Sequence, residues 1–495
     1  MGLSSPIFMH KIHGCVRFSN SSIVYMFNSS LFLNHSTPLL LPKEIIRLFI
    51  ITACKIEKFA NHASKTFLNH LLFLPSMADI AIIGAGPAGC ACAYLLARAG
   101  FKVDVFEEHK AVGKPVQCTG ITTAALLDVL EGMGLSLGSQ KQGGRHSTSD
   151  KTTLPRFIIN QVNYAHIYAQ NKSSITVRLG RANLVLDRAG FDRFLKKQAA
   201  DAGARFHMNT RFVGFRKTDH RETGQVKTRL FEIDLIKSST RAKKRRGEHQ
   251  QHRADILIGA DGPSSAVARA AGMYGSRHFM LGYQLRLRLS NDNSVKFYPF
   301  PKGYAWLVPE NTNTVRFGIA CYTKPREQLE LIAREQLKKS PEQLSKITIN
   351  AQAGLIPIYN QNIRTEQCNI YLLGDAAAQV KATTGGGIVQ GLIAAKSLAE
   401  ALSKRKSYTR LWKKAIGKEL ALSLLIRNAL DSMHAGDYNR LIALLSSKHA
   451  QAVLSKYDRD FPSQLLPRLM ITEPGMILFS CRVGLRLVGR VVLRR

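Results

Sequence analysis

Glycine and acid recur together at three places in the 495-residue chain, and each place alone could be no more than a tight turn. The first is Gly84-Ala85-Gly86-Pro87-Ala88-Gly89, with Glu107 following 23 residues after Gly84 and Glu108 next to it. Gly84 permits a tight turn, Gly86 lets the backbone approach a pyrophosphate, and Gly89 lets a helix close onto a strand. A helix that starts in such a turn offers unpaired N–H groups and a positive dipole end to phosphates. Glu107 then accepts hydrogen bonds from ribose hydroxyls. An acid there suits a free 2′-hydroxyl, so NAD or FAD over NADP. The second place is Gly259-Ala260-Asp261-Gly262-Pro263-Ser264-Ser265. The third pairs Gly374-Asp375 with Gly385-Gly386-Gly387-Ile388. Three further groups have chemistry of their own: the Cys118 thiol, the Arg188 guanidinium, and the aromatic pair Tyr304 and Trp306 within Gly303–Pro309.

The elements that must position these groups are legible around them. Asp79–Ile83 reads as a first apolar strand, followed by an Ala/Leu-rich helix to about Ala99 that Gly100 caps, and a second strand over Lys102–Phe106. Short apolar strands also precede Gly259 and, over Ile370–Leu373, Gly374. A helix is expected from about Ile388 to Leu402. The composition, 45% hydrophobic and 21% charged, is globular. No uninterrupted apolar run of 18 residues argues for a bilayer-spanning helix. Lys+Arg exceeds Asp+Glu by 70 to 34, a net +36 that favours an anionic partner. The eight cysteines form no CxxC pair, which signals neither a zinc site nor a disulfide framework, and no metal is expected. Cys90 and Cys92 read as small core residues in the first helix, and a reducing compartment is the default. Residues 1–76 differ in character: they are basic, with Glu44 and Glu57 the acids. An over-extended reading frame with the start at Met77, a transit-type leader, and a genuine extension all accommodate them.

The order GxGxxG, then GADGPSS, then GDAA followed by GGG resembles the p-hydroxybenzoate-hydroxylase-type FAD superfamily. The resemblance implies FAD as cofactor. It implies Asp375 on the flavin ribityl chain, Gly386 and Gly387 close to the isoalloxazine, and Asp261 with Gly262 near the pyrophosphate in a largely structural role. It places Arg188, ahead of Phe191-Asp192, against the adenosine or phosphate region; a solvated cation at a helix start is the plainer reading. No second GxGxxG occurs, so a nicotinamide would bind only transiently. NAD(P)H and a ferredoxin-like carrier both stay open as electron donor.

A narrower resemblance rests on three segments: EEHKAVGKPVQCTG at 107–120, GYAWLVP at 303–309 and GDAAAQVKATTGGGI from Gly374. Together they resemble the geranylgeranyl reductase family, over roughly Met77 to about residue 410. The resemblance implies saturation of isoprenoid double bonds, in archaeal digeranylgeranylglycerol phospholipids or chlorophyll-linked chains. Reduced flavin N5 would give hydride to one alkene carbon while a proton reaches the other. Val308 stands where the family usually has Phe. Cys118 is then a substrate-side gate or proton donor, or else a small buried residue. Tyr304 and Trp306 are walls of an apolar tunnel, or else plain sheet core.

The expected fold class is α/β: a Rossmann-type FAD-binding domain interleaved with an α+β antiparallel-sheet substrate domain, plus a helical C-terminal region. The expected boundaries are 77–120, 180–275 and 365–402 for the FAD domain, 121–179 and 276–364 for the substrate domain, and 403–495 for the basic helical region. The polar stretch 216–254, with its run from Arg241 to Arg246, reads as a solvated loop; no interleaved aromatics suggest specific nucleic-acid binding there. Near the C terminus Arg482, Arg486 and Arg490 recur every four residues, as do Val483, Leu487 and Val491. That pattern suits a helix lying on an anionic membrane or one docked on the core. The expectation is a cytoplasmic protein peripheral to the membrane, acting on an isoprenoid lipid. An FAD hydroxylase of the same fold and a non-redox prenyl-chain carrier are the competing readings.

Overall fold

The computed structural model describes residues 78–492, apart from 136, 138–153, 223–224 and 239–246. The N-terminal extension and the run from Arg241 to Arg246 lie outside the described residues, and so do the side chains of Leu487, Arg490 and Val491. Two sheets organise the rest. In the first, strand order is Glu366–Gln367, Ile370–Leu372, Ile256–Gly259, Asp79–Ile83, Lys102–Phe106, Arg205–His207. All neighbours are parallel except the antiparallel edge pair at 366–372. A parallel strand is buried on both faces and so reads as a continuous apolar run, as Ile80 to Ile83 do. One face packs the helices Pro87–Arg98, Arg188–Asp201 and Ile388–Ser403, joining Ile80 and Ile82 to Cys90, Leu96, Phe191 and Leu392. The other face is covered by an antiparallel three-stranded sheet, Thr210–Glu222, Gln225–Lys237 and Glu248–Ala254. Its alternate residues Phe231, Ile233 and Leu235 meet Ala81, Ile83 and Phe106.

The second sheet has eight strands in the order Thr348–Pro357, Phe279–Arg288, Thr314–Cys321, Gly303–Asn311, Val295–Phe300, Ile158–Tyr168, Ser174–Leu186, Ile121–Thr122. It is antiparallel except where Val295–Phe300 meets Ile158–Tyr168. One face packs Leu285, Ala305, Leu307 and Phe317 against Leu329 and Leu344 of the helices Pro325–Ile332 and Pro341–Ile347. The opposite face carries Met280, Tyr304 and Trp306. Ser174–Leu186 belongs to this sheet along its whole length, across the expected boundary at residue 180, and feeds directly into the helix at Arg188.

After residue 403 the chain is helical: Tyr408–Trp412, Lys418–Ser432, Ala435–Leu445, Lys448–Lys456, Pro462–Thr472 and Gly475–Val492. Buried hydrogen bonds fasten this region to both sheets. Trp412 Nε1 donates to Thr365 Oγ1 at 2.9 Å, and the Tyr438 hydroxyl donates to the Phe300 carbonyl at 3.1 Å. The last helix is docked through Phe479 and Val483, which pack with Met433 and Tyr438. Docking turns Arg486 inward, where it pairs with Asp437. The outer side carries Leu478 and Leu485, 71% and 75% exposed, beside the exposed Arg482, and Ile471 of the preceding helix is 77% exposed. Among the described residues no helix is long and apolar enough to cross a membrane.

Candidate active site

The carboxyl ends of four parallel strands open onto one cleft of about 670 Å³, and a glycine-acid motif follows each of three of them. Crevices at such strand ends are where open α/β sheets take ligands. Gly84, Gly86, Pro87, Ala88, Glu107, Glu108, Cys118, Arg188, Asp261, Gly262, Tyr304, Trp306, Gly374, Asp375, Gly386, Gly387 and Ile388 all line it. Gly89 does not. It lies beneath, where an added methyl would sit 2.1 Å from the Gly84 carbonyl oxygen, so glycine there serves helix–strand packing.

The first turn is built for close approach. Gly84 has φ +101°, and a side chain on it would strike the Ala260 carbonyl at 2.3 Å. Glu107 ties the turn to the end of the second strand, accepting from the N–H groups of Ala85 at 2.8 Å and His109 at 3.0 Å. Above Gly86 lies open space: an added methyl would meet nothing within 4 Å. The helix Pro87–Arg98 starts there with no side-chain cap, and the helix Ile388–Ser403 starts at Gly387, also uncapped. Two bare helix N-termini therefore face the same cleft, each with a positive dipole end.

The acids divide in role. Asp261 is occupied by its own loop, accepting from Ser265 Oγ at 2.6 Å and from the N–H of Ala266 at 2.7 Å. It organises the short helix Ala266–Ala270, and burial raises its pKa against those bonds. Asp375 is different: among the described residues no hydrogen-bond donor takes its carboxylate, although burial raises its pKa and Arg188 opposes the rise only in part. Arg188 lies between Asp192, at 3.3 Å, and Cys118. Burial works to discharge this guanidinium, but Cys118 and Asp192 outweigh it and keep the cation. Its Nε is buried and finds no acceptor among the described residues. Cys118 itself is half-buried, with the Gly120 N–H 3.4 Å from its sulfur.

The eight-stranded sheet forms the opposite wall. Gly282 and Gln284, Tyr304 and Trp306, and Gln352, Gly354 and Ile356 line the cleft from three strands. Tyr304 and Trp306 are both sheet core and cleft wall, because their strand is buried on both sides. Their rings tilt together at 5.7 Å. Trp306 Nε1 donates to Gln284 Oε1 at 3.1 Å, which also accepts from Thr119 Oγ1 at 2.6 Å, while Gln284 Nε2 donates to Gln352 at 2.9 Å. Val308 is buried but does not line the cleft. A methyl built on Gly385 would lie 3.0 Å from Ile356 and 3.1 Å from the Tyr304 hydroxyl, so the apolar wall closes down on the glycine run.

Sequence reasoning missed several lining groups, among them two glutamines, an arginine, an aspartate and a lysine. Gln284 and Gln352 were hidden in apolar strands. Arg459 and Asp460 reach the cleft from the turn before helix Pro462–Thr472, and no local pattern announces them. Lys381 also lines the cleft; the one cation between Gly374 and Gly385 was a visible signal.

A mostly parallel sheet with glycine turns at its strand ends, two uncapped helix starts, a buried carboxylate and a buried, under-satisfied guanidinium defines a dinucleotide-binding flavoprotein fold, and these residues fit FAD. Residues 77–407 match the family described as FAD binding domain, and the chain belongs to that family. Among curated proteins, it is 28% identical to the digeranylgeranylglycerophospholipid reductase of Methanothrix thermoacetophila, over 75% of this chain and 92% of that one. It is 25% identical to the protein of the same name from Methanococcus vannielii, over 73% and 89%. Among solved structures, a geranylgeranyl bacteriochlorophyll reductase-like protein from Thermoplasma acidophilum shares the fold with a TM-score of 0.64 at 21% identity, covering 82% of this chain and 99% of that one.

Proposed function

We propose that this protein is an FAD-dependent reductase that saturates C=C bonds of geranylgeranyl chains on membrane-lipid or other isoprenoid precursors, by hydride transfer from reduced flavin. The observation that carries the reading is the apolar sheet face, Tyr304, Trp306 and Ile356, set directly against the glycine run Gly385–Gly387. A long hydrocarbon chain suits the space between them, and the curated relatives are named for that class of substrate.

Bound FAD supplies a two-electron hydride donor; the protein positions and insulates it. Gly86 and the two helix N-termini would receive the pyrophosphate and the flavin end, and Glu107 the ribose. Asp375 would take ribityl hydroxyls that it lacks protein donors for. Arg188 would stand beside them, its Nε satisfied at last. An isolated alkene is a poor hydride acceptor, so alignment and exclusion of water matter. Tyr304 and Trp306 exclude water, and the Gln284–Gln352 pair fixes the Trp306 ring. Cys118 sits on the substrate side of Arg188. Either NAD(P)H or a ferredoxin-like carrier meets the need for electrons. The exposed Leu478 and Leu485 of the basic C-terminal helix, and the exposed Ile471 of the helix before it, support peripheral contact with an anionic membrane on the cytoplasmic side.

The test is anaerobic. The Met77–Arg495 protein is loaded with FAD, reduced with dithionite, freed of excess, and mixed with a geranylgeranyl phospholipid. Flavin reoxidation with a two-dalton mass gain per bond is expected. A flavin that stays reduced until oxygen enters, or a protein that retains no FAD, would overturn the reading in favour of a hydroxylase or a carrier respectively.

A further inference from the structure

We propose that Lys381 delivers the proton in the reduction of the substrate double bond, and that Asp460, brought in from the C-terminal helical region, holds its ammonium in place. This rests on the reductase reading above. The geometry is unusual for a lysine. Lys381 is 5% exposed and Asp460 3%, both line the cleft, and the two form an ion pair. A methyl on Gly386 would lie 3.0 Å from Lys381 Cε and 3.4 Å from Nζ, so the ammonium sits on the glycine run that the flavin end would occupy. The backbone fixes it there: Lys381 N–H donates to the Gly386 carbonyl at 3.1 Å, and Gly385 N–H returns to the Lys381 carbonyl at 2.9 Å. The loop is braced from helix Lys418–Ser432, where Ser423 Oγ accepts from the Thr383 N–H at 3.1 Å. Asp460 is held in turn by the Thr123 hydroxyl at 2.9 Å.

The Tyr304 hydroxyl is less suited. Burial drives the Tyr304 hydroxyl far up, so its proton is tightly held. Burial acts in the opposite sense on a cation: it pushes the Lys381 ammonium well below the usual lysine range, Arg459 pushes the same way, and Asp458 resists. The charged groups facing Lys381 are thus Asp458, Arg459 and Asp460, all from one turn. An ammonium so weakened is a competent general acid near neutral pH.

The step balances. The alkene π bond breaks and two C–H bonds form. One uses the hydride with both electrons from reduced flavin, which is oxidised. The other uses a proton from the Lys381 N–H bond, whose electrons stay on the amine; water then returns a proton to it.

Single-turnover reoxidation of the reduced holoenzyme by a geranylgeranyl phospholipid, followed across neutral to alkaline pH, tests this with Lys381→Arg, Lys381→Met and Asp460→Asn. The wild-type rate should fall as pH rises through the lysine's titration. Lys381→Arg keeps the charge but gives up no proton, so it should retain FAD and lose about 100-fold or more with a flat profile. Asp460→Asn should move the fall to lower pH. A second readout needs no turnover: trace acylation of amines with mass spectrometry gives the titration of Lys381 in the oxidised holoenzyme. A midpoint below about 9, against the ordinary ~10.4, is expected, and lower still in Asp460→Asn. Lys381→Arg within threefold of wild type, or a Lys381 that titrates with the surface lysines, overturns the proposal. If both Lys381 variants lose FAD, the acylation titration decides. Absence of any mass gain in the wild type refutes the reductase reading instead, and this proposal with it.

Discussion

Gly86 and Gly89 lie three positions apart and should fail in opposite ways when given a methyl group. At Gly86 the backbone has φ −70° and ψ 178°, open to any residue, and an added methyl touches nothing within 4 Å. Gly86→Ala should therefore fold normally, with a gain of up to about 1 kcal/mol from a less flexible unfolded chain. The open space, however, is where a pyrophosphate would approach the N–H groups of the helix Pro87–Arg98. A hydrogen bond to a charged group contributes about 1.5–3 kcal/mol. Lifting one phosphate off two such groups, with water recovering part, leaves a net loss of about 2–3 kcal/mol, or roughly 30- to 150-fold in FAD Kd. At Gly89 the methyl would lie 2.1 Å from the Gly84 carbonyl and 3.2 Å from Ala260 Cβ, both packed within the fold. Gly89→Ala must push the helix off its strand, at about 1–3 kcal/mol of stability. Flavin fluorescence titration gives the Kd, and denaturant melts of the apoprotein give stability. A Gly86→Ala protein that binds FAD as wild type, or a Gly89→Ala protein of unchanged stability, would refute the account of the turn.

Removing the guanidinium in Arg188→Met should weaken FAD by about 10- to 100-fold, since it strips one charged partner from the cleft; the same titration reads it. The last helix offers a paired comparison. Phe479→Ala should cost about 3–5 kcal/mol, because Phe479 is buried against Tyr438. Leu478→Ser, on the exposed side, should leave melting unchanged and reduce sedimentation with anionic vesicles. Acid stability should depend on Asp104. Burial raises its pKa, but hydrogen bonds from Arg205 and His207 outweigh that and hold it below the ordinary carboxylate value. Its contribution is therefore present above the unfolded value of about 3.9 and lost as pH falls through the folded one. Urea melts of Asp104→Asn between pH 5 and pH 3 should show a flatter decline than wild type; an identical decline would refute the assignment.

The half of the cleft at the strand ends was legible because it is made by backbone. Gly84 to Glu107 is one strand–helix–strand unit, and Gly374 to Gly387 is one turn and helix start. In both, the residues lining the cleft are neighbours in sequence, and glycine at a strand end is constrained by sterics alone. The half opposite is built from strands far apart in the chain, and there a local pattern tells only that a strand is buried. Tyr304 and Trp306 show the limit: Gly303–Asn311 is buried on both faces, so core and wall could not be told apart until Gly385 was found against Tyr304. The C-terminal stripe of arginines shows another. No acid follows Glu473 in sequence, yet Asp437 pairs with Arg486 from a preceding helix.

Interleaving of the two sheets follows from the same geometry. Ligand-facing turns of a parallel sheet all lie at one edge, the carboxyl end, so inserting a segment between strands is the direct way to bring it to that edge, and an appended one must reach back to it. The eight-stranded sheet enters between Phe106 and Ile370 for that reason, and its face meets the last glycine motif only after the chain has returned to the first sheet. The C-terminal helices are appended, and they reach the cleft by one turn, Asp458 to Asp460, pinned through Thr123. An ion pair between that turn and Lys381 makes the appended region part of the site. Truncating the chain after helix Ile388–Ser403, which leaves every FAD motif intact, should therefore abolish alkene reduction as well as lower stability. Asp460→Asn isolates the first effect from the second, since a truncation effect that were purely structural would leave the pH profile of that point variant at its wild-type position.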